Sequence, residues 1–175
     1  MHPPHEVDEA LSYRFCPPCG GQLEERVIKA GDPPRKVCVR CGFVFYIDPK
    51  VAVGTICRLD GRVVLVQRAI EPGYGKWVYP GGYVDSGETV EAAARREARE
   101  EANVEVRLDR LLNVYSYTGR RVIVIVYVGT VVGGEPAARD ESLALRLVAP
   151  PQIPWEELAF PSTRQALQDF VALAP

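Results

Sequence analysis

The sequence predicts an α/β (α+β) sandwich, in which a mixed β-sheet is combined with a central helix and a C-terminal helix, preceded by a small cysteine-rich domain. Three observations carry this prediction: β-branched runs separated by Gly and Pro turns, one alanine-rich helical segment near the middle, and two C-x-x-C pairs near the N-terminus. Strands that surround one helix favour a mixed layer structure. We divide the chain into a leader (1–14), a cysteine-rich domain (15–47) and a main domain (48–175).

Composition and charge exclude several classes of protein. The chain has 175 residues and a formal net charge of −2, which argues against a broad, non-specific nucleic-acid surface. No run of about 18 apolar residues occurs, so no transmembrane helix is expected. The N-terminus, M-H-P-P-H-E-V-D-E-A, is polar and acidic, unlike a signal peptide. We expect a cytoplasmic protein with a short helical turn around Val7 to Leu11 in its leader.

The cysteine pairs have the spacing of a zinc ribbon. Cys16 and Cys19 form one pair, Cys38 and Cys41 form the other, and glycine follows each. Such pairs make tight turns that present four thiolates to a tetrahedral Zn²⁺. Disulfides are the competing interpretation, disfavoured without a secretion signal, and a catalytic dithiol would not occur twice. We expect a structural zinc ion, ribbon strands at 26–29 and 43–47, and a core position for Cys57.

The main domain alternates strands with turn-forming residues. Asp60-Gly61 is a hairpin turn, 70–76 and 133–142 are polar loops, and 153–158 is a helical turn. Ser162 and Gln165 have the spacing of a capping box, which predicts a closing helix to about Leu173. The predicted strands are Val51–Leu59, Arg62–Ala69, Trp77–Tyr79, Val104–Leu108, Leu111–Thr118, Arg121–Val132 and Leu143–Val148.

The central helix follows a glycine loop and carries many acids. Thr89 is placed to cap its first turn, and an alanine-rich run of good helix formers follows. Glu97, Glu100 and Glu101 fall at i, i+3 and i+4, on the face that also carries Val90, Ala93 and Ala94 and would normally be buried.

Three acids on one face need a cation between them. Like charges at i, i+4 oppose each other, and more strongly when desolvated. Arg96 and Arg99 are expected to project from other faces and cannot serve all three acids. A divalent cation such as Mg²⁺ binds carboxylate oxygens and keeps positions open for phosphates. A solvated, salt-bridged helix is the alternative interpretation.

The spacing of these residues resembles the signature of the Nudix hydrolases, G-x5-E-x7-R-E-U-x-E-E-x-G-U, where U is apolar. Ala98 and Val104 match the apolar positions, and the matching polar residues are Gly82, Glu88, Arg96, Glu97, Glu100 and Glu101. Asn103 stands where the family has glycine. Asparagine is the residue that most readily replaces glycine in a left-handed helix cap, so the departure is mild.

The resemblance extends over almost the whole chain. The ribbon followed by D-P-K-V-A-V-G is typical of a ribbon-bearing branch, and R-A-I-E-P-G-Y-G-K-W-V-Y-P-G-G-Y and I-P-W-E-E-L-A-F-P resemble ADP-ribose or FAD pyrophosphatases. The resemblance implies the Nudix fold and hydrolysis of a small nucleotide to AMP with Mg²⁺ (or Mn²⁺). It implies Glu97, Glu100 and Glu101 as metal ligands, the Gly82 carbonyl as a further ligand, and a supporting ion pair of Glu88 with Arg96.

The general base and the substrate contacts are less closely tied to the signature. ADP-ribose-type members use a carboxylate from a distant loop, for which Glu141 is our candidate, whereas other members use a signature glutamate. Arg68 and Lys76 are candidates to contact the pyrophosphate, with ordinary surface charge as the alternative. Trp77, Tyr79 and Tyr83 are candidates to stack on adenine, although aromatic residues beside a strand are more often core.

Competing functions are distinguished by particular phrases. NADH pyrophosphatases carry S-Q-P-W-P-F-P-x-S after the signature, where this chain reads R-L-D-R-L-L-N-V-Y-S-Y-T, so NADH specificity is disfavoured. A ligand sensor would have a degenerate signature, and an enzyme of capped RNA would have a continuous basic stripe. We expect a homodimer without nucleic acid or membrane, and the strand 122–128 is either its interface or core.

Overall fold

The computed structural model describes residues 13–173, so the turn expected around Val7 to Leu11 lies outside the described residues. The contacts divide the chain into two compact units, with the boundary between Asp48 and Pro49. Each unit is described by itself. No helix within residues 13–173 is long and apolar enough to cross a membrane.

The first unit is a three-stranded antiparallel sheet. Its strands are β1 (Leu23–Arg26), β2 (Arg35–Cys38) and β3 (Val44–Phe45), in the order β1-β2-β3. The strand expected at 26–29 is wrong, because the chain leaves the sheet after Arg26 and turns at Gly31, which has a positive φ. β2 was not expected, since Arg35 and Lys36 interrupt any apolar pattern there.

The second unit contains one mixed sheet. Within the described residues it has seven strands, of which β4 and β9 pair in parallel and the other neighbours are antiparallel. The main order is β10-β5-β4-β9-β8, with β6 beside β5 and β7 beside β4. The strands are β4 (Lys50–Leu59), β5 (Arg62–Arg68), β6 (Trp77–Val78), β7 (Gly81–Tyr83), β8 (Glu105–Tyr115), β9 (Val122–Gly133) and β10 (Ser142–Val148).

Two details of the strand prediction are wrong. β8 is one strand rather than two, and the expected break at residues 109–110 is a register shift in its pairing with β9. A bulge of this kind accommodates an extra residue without ending the strand. β7 was missed because its residues Gly81 and Gly82 have no side chains and give no period-two pattern.

The two helices cover opposite faces of the sheet. Helix α1 (Val90–Ala102) packs Ala93 and Ala94 against Val53 of β4. The next residue, Gly54, faces the other side, where Tyr79 packs so closely that a Cβ on Gly54 would lie 2.2 Å from the ring. The Tyr79 hydroxyl is hydrogen-bonded to the side chain of Thr163 in helix α2 (Pro161–Ala172). The predicted layered fold, a mixed sheet with two helices, is confirmed.

The C-terminal helix begins differently from the prediction. Phe160 is its N-cap residue, Pro161 occupies the first turn, and no side chain caps the helix. The predicted capping box at Ser162 and Gln165 is therefore wrong, because proline, with its fixed φ and missing N–H, starts the helix two residues earlier. Two short 3₁₀ turns, Pro150–Gln152 and Trp155–Glu157, precede it.

Candidate active site

The ends of α1 are set by local chemistry. Thr89 adopts an extended backbone, and its hydroxyl accepts a hydrogen bond from the Ala92 N–H at 3.2 Å. Asn103 ends the helix in the left-handed region, at φ 54° and ψ 37°, and its N–H donates to the carbonyls of Ala98 and Arg99. Both predicted caps are confirmed. They fix the register of the helix, and with it the direction of each glutamate.

The three glutamates lie on one face and differ in burial. Glu97 and Glu101 are 9% and 6% exposed, whereas the Glu100 side chain is 45% exposed. Two buried carboxylates one turn apart are unfavourable unless a cation compensates them. The arrangement therefore has the chemistry of a hard-cation site with a solvent-facing side.

Arg96 lies inside this cluster, which corrects the expectation that it projects away from the acids. Its Nη1 donates to Glu97 at 2.7 Å and to Glu100 at 3.0 Å. Nε and Nη2 donate to the two oxygens of Glu88 at 3.1 and 2.9 Å, so the predicted ion pair with Glu88 is present and bidentate. Glu101 receives no hydrogen bond from this guanidinium, which therefore serves two of the three helix acids.

Burial destabilises the ionised forms of Glu97 and Glu101. Burial, together with the charges of Glu97 and Glu141, raises the pKa of Glu101 to about 7, although the Gly81 N–H and Arg68 oppose the rise. Burial also raises the pKa of Glu97, while Arg96 lowers it. A bound divalent cation would favour the ionised form of both carboxylates. The donor set thus fits a divalent metal, which Glu97, Glu100 and Glu101 could hold.

The glycine loop is pressed against this face of the helix. The Gly81 N–H donates to Glu101 at 2.9 Å, and Nη2 of Arg96 donates to the Tyr83 carbonyl at 3.1 Å. At Gly82, a Cβ would lie 2.4 Å from Oε1 of Glu97. Only glycine lets β7 approach the carboxylate this closely.

Two residues from distant parts of the chain affect the electrostatics of the cluster. Arg68 ends β5 and its charge lowers the pKa of Glu101, whereas Glu141 precedes β10 and its charge raises that pKa. Arg68 is held by a hydrogen bond from its Nε to the Pro72 carbonyl at 2.9 Å, and its guanidinium lies 5.0 Å from the Phe160 ring centroid. Lys76 is exposed at the end of the same loop, and among the described residues its side chain forms no hydrogen bond or ion pair with the cluster.

The aromatic candidates divide into core and surface. Trp77 and Tyr79 are 2% and 3% exposed, and both belong to the main hydrophobic core. Arg146 covers the Trp77 ring at 4.4 Å. The structure thus corrects the expectation that these two rings contact adenine, because neither is open to a ligand. Tyr83 is 52% exposed beside Gly82, with the Lys50 ammonium 5.3 Å from its ring centroid.

Some contacts of the site had no direct signal in the sequence. Asn103 donates from its side chain to the Glu135 carbonyl at 2.7 Å, and Arg68 packs on Phe160. Each contact joins residues more than 30 positions apart, so no local period reports it. The Asn103 contact had one indirect sign, which is that asparagine replaces the glycine of the signature.

The cysteine cluster of the first unit fits a zinc ion. The four Sγ atoms lie within 4.8 Å of one another, with 3.7 Å between Cys16 and Cys41 and 3.5 Å between Cys19 and Cys38. A tetrahedral Zn²⁺ with Zn–S bonds of about 2.3 Å requires sulfur atoms about 3.8 Å apart. Backbone N–H groups of Gly21 and Arg40 donate to Cys19 and Cys38. These bonds would stabilise thiolates and orient them as ligands.

Comparison with known families agrees with this geometry. The NUDIX domain family matches residues 48–170, and the zinc-ribbon family described as Nudix N-terminal matches residues 14–47. The chain belongs to the Nudix family. Nudix enzymes are pyrophosphohydrolases that use divalent metal ions, and the carboxylate face of α1 is where this Nudix chain would hold them.

Relatives that are named for an activity match different shares of the chain. An ADP-ribose pyrophosphatase of Methanocaldococcus jannaschii is 35% identical over 70% of this chain and 71% of its own length. A NAD-capped RNA hydrolase NudC of Chromobacterium violaceum is 28% identical over 71% of this chain, and the match spans 45% of that relative. The crystal structure of a NUDIX hydrolase from Nitrosomonas europaea has a TM-score of 0.86 and 32% identity, covering 93% of this chain and 95% of that one.

Proposed function

We propose that this Nudix enzyme hydrolyses the pyrophosphate bond of a nucleoside diphosphate derivative, ADP-ribose or FAD, and releases AMP with Mg²⁺ or Mn²⁺. The carrying observation is the set of three helix carboxylates on one face, two of them buried, beside a glycine loop. The archaeal relative named ADP-ribose pyrophosphatase supports this substrate class.

The metal ligands in this proposal are Glu97, Glu100 and Glu101, with the Gly82 carbonyl as a further ligand. When bound, divalent metal ions neutralise charge on the pyrophosphate oxygens and make water a better nucleophile. Arg96 keeps the Glu97 and Glu100 carboxylates oriented, and Glu88 holds Arg96 from the opposite side. This pair therefore positions the ligands rather than the substrate.

Residues outside α1 complete the proposed mechanism. Arg68 is anchored by its hydrogen bond to the Pro72 carbonyl, its charge lowers the pKa of Glu101, and it presents a guanidinium suited to a phosphate group. Lys76 is proposed as a second, weaker phosphate contact. Glu141 is the proposed general base, since the charge of its carboxylate raises the pKa of both Glu97 and Glu101 and the residue lies on an exposed loop that water can reach. It would accept a proton from the attacking water.

The first experiment compares hydrolysis of ADP-ribose, FAD, NADH, diadenosine polyphosphates and nucleoside triphosphates in the presence of Mg²⁺ or Mn²⁺. We expect preferential cleavage of ADP-ribose or FAD to AMP. Glu100→Gln serves as the inactive control, because it removes a metal ligand that is half-exposed and leaves the core unchanged. Tight binding of dinucleotides without any cleavage would instead favour a ligand sensor.

The base assignment has its own test. Glu141→Gln is expected to lower kcat by about 100-fold or more, since a positioned general base contributes roughly that much, with a KM within a few-fold of the wild type. Glu135→Gln, which removes a charge from the same loop, is the matched control. A kcat for Glu141→Gln within a few-fold of the wild type would assign the base to a signature glutamate.

Hydrolysis of NADH or of NAD-capped RNA is the second candidate, because the NudC relative matches most of this chain. The phrase that follows the signature in NADH pyrophosphatases is absent here, which supports ADP-ribose or FAD. Cleavage of a NAD-capped RNA oligonucleotide at a rate above that of ADP-ribose would reverse this order.

We also propose a homodimer, to be tested by light scattering of the purified protein. The strand segment 122–128 has no free edge that could extend the sheet across such an interface, because β9 pairs with β4 and β8, and Val126 and Val128 are buried in the core. The cytoplasmic location stays a prediction.

A further inference from the structure

The left-handed cap of α1 makes a contact beyond the helix. Asn103 is half-buried, and its Nδ2 donates to the carbonyl of Glu135 at 2.7 Å. Glycine, which the signature has at this position, would adopt the same backbone conformation but would have no side chain to donate. The asparagine therefore adds one hydrogen bond that the cap itself does not require.

The bond belongs to a larger attachment of the loop 134–141 to the helix end. The N–H groups of Ala137 and Arg139 donate to the carbonyls of Ala102 and Glu101, at 3.0 and 3.1 Å. These carbonyls lie in the last turn, where the helix itself supplies no donors. Gly134 passes so close that a Cβ there would lie 2.3 Å from the Asn103 carbonyl oxygen. The loop thus lies along the end of the helix that carries the metal ligands.

The same loop delivers Glu141. The Ser142 N–H donates to the Arg139 carbonyl at 2.9 Å, which closes a turn around Asp140, and the Glu141 carbonyl accepts from the Ala69 N–H at 2.7 Å. One end of the loop is therefore held by α1 and the other by the segment after β5, and Glu141 lies at this second end, two residues after the Arg139 N–H that donates to the Glu101 carbonyl.

We propose that Asn103 is a positioning residue for the hydrolase reaction, which holds the loop 134–141 on the end of α1 so that Glu141 faces the metal-binding glutamates. The proposal rests on the role of Glu141 in the proposed function. Its structural basis is a series of hydrogen bonds along the loop. Residues 135, 137 and 139 each bond to one of the last residues of α1 or to its cap, Asn103, and Glu141 follows two residues later.

The test replaces Asn103 by the residue of the family signature. Asn103→Gly retains a residue suited to positive φ and removes only the side-chain donor. We expect kcat to fall about three- to tenfold, the range of one lost hydrogen bond, with KM within twofold. Asn103→Asp, which also tolerates this backbone but offers no donor, should lower kcat in the same direction. The amides of Ala137 and Arg139 should exchange hydrogen faster in both variants.

A double-mutant cycle separates positioning from a general loss of stability. In the Glu141→Gln background, Asn103→Gly should cause no further loss of kcat, because the group it positions is gone. Asn113→Ala, which removes an asparagine hydrogen bond to Asp169 away from the loop, is the matched control and should leave kcat unchanged.

Three results would overturn the proposal. Unchanged kcat and unchanged amide exchange in Asn103→Gly would show that the bond holds nothing. An equal loss of kcat with and without Glu141 would show that Asn103 acts elsewhere. A Glu141→Gln variant with nearly normal kcat would remove the base itself, and that outcome identifies the proposed base, rather than Asn103, as the failing step.

Discussion

Arg96 shows how one side chain organises the site. Its guanidinium donates to three carboxylates and to the Tyr83 carbonyl, and its hydrogen bonds to the carboxylates, that to Glu88 first, raise its pKa above the ordinary value. A lysine has a single ammonium with no fixed fork and would not hold Glu88 bidentately. The direction of Glu97 and Glu100 is therefore set by a planar group that stays charged throughout the working pH range.

Gly82 is a second residue on which the geometry depends. Gly82→Ala would place a methyl group 2.4 Å from Oε1 of Glu97, and the nearby atoms belong to a buried carboxylate rather than to a flexible chain end. We expect kcat/KM to fall at least tenfold, since displacement of a catalytic group by about 1 Å has effects of roughly 100-fold. Steady-state kinetics with ADP-ribose measures this change.

The matched control for this substitution is Gly133→Ala. Gly133 is also at a strand position, but an added Cβ there would meet the end of the exposed Glu105 side chain at 3.0 Å, which can move aside. Activity should be retained. Equal kinetics for the two variants would mean that the contact of Gly82 with Glu97 does not hold the site.

At the scale of elements, the sheet places parts of the chain that sequence distance separates. β4 pairs with β9 along one edge and with β5 and β7 along the other. The glycine loop and α1 therefore meet over Val53 of β4. A side-chain network on adjacent strands adds to this pairing: Asp109 of β8 accepts hydrogen bonds from Arg58 of β4 at 2.8 Å and from Thr130 of β9 at 2.7 Å. The network connects three neighbouring strands on the protein surface.

The Asp109 network predicts a pH-dependent contribution to stability. Hydrogen bonds from Thr130, and then from Arg58 and Arg107, lower the pKa of Asp109 below its ordinary value. Because the folded pKa is lowered, the stabilisation is present above the unfolded pKa, near 4, and is lost as the pH falls through the folded pKa.

Asp109→Asn should therefore lower the melting temperature at pH 7 by a few degrees, corresponding to about 1 kcal/mol for a partly exposed network. The difference between wild type and variant should shrink below pH 4. Calorimetry between pH 3 and 7 tests this, with Asp85→Asn as a control for removal of one surface charge. A difference that grows as the pH falls would contradict the assignment.

On the scale of the whole molecule, the protein consists of two units that gain stability in different ways. The unit from Pro49 onward has a large core between its sheet and two helices. Within its described residues, 13–48, the first unit has a buried cluster of Cys16, Leu23 and Cys38 with two partly buried neighbours, and this small core provides little stability. Bound zinc would contribute folding free energy directly in such a unit.

Zinc removal should therefore affect one unit only. Cys16→Ser is expected to reduce bound zinc from one ion per chain to well below one and to abolish amide protection in the first unit, while the second unit keeps its thermal transition. Metal analysis and hydrogen exchange measure both effects. Cys57→Ala is the control, because Cys57 lies in the sheet core outside the cluster and its loss should leave zinc bound. Full zinc content in Cys16→Ser would refute a four-cysteine site.

Much of the fold was predictable where one residue or one period decides the structure. Thr89 and Asn103 end α1 as predicted, and Asp60-Gly61 makes the expected hairpin between β4 and β5. Predictions failed where a segment depends on its partners. Exposed Val27 and Ile28 look like strand residues but have no neighbouring strand, whereas Gly81 and Gly82 have no strand signal but pair with β4.

The sequence by itself determined the chemistry of this protein: four thiolates in two tight turns, and three carboxylates on one helix face, since both follow from spacing within a few residues. Only the tertiary structure decided that Arg96 enters the carboxylate cluster, that Trp77 and Tyr79 are core, and that the loop before Glu141 is attached to the end of α1. The physical reason is the range of the forces involved. Helix period and turn geometry act locally, whereas the burial of a ring or the approach of a loop depends on packing between elements that are far apart in the chain.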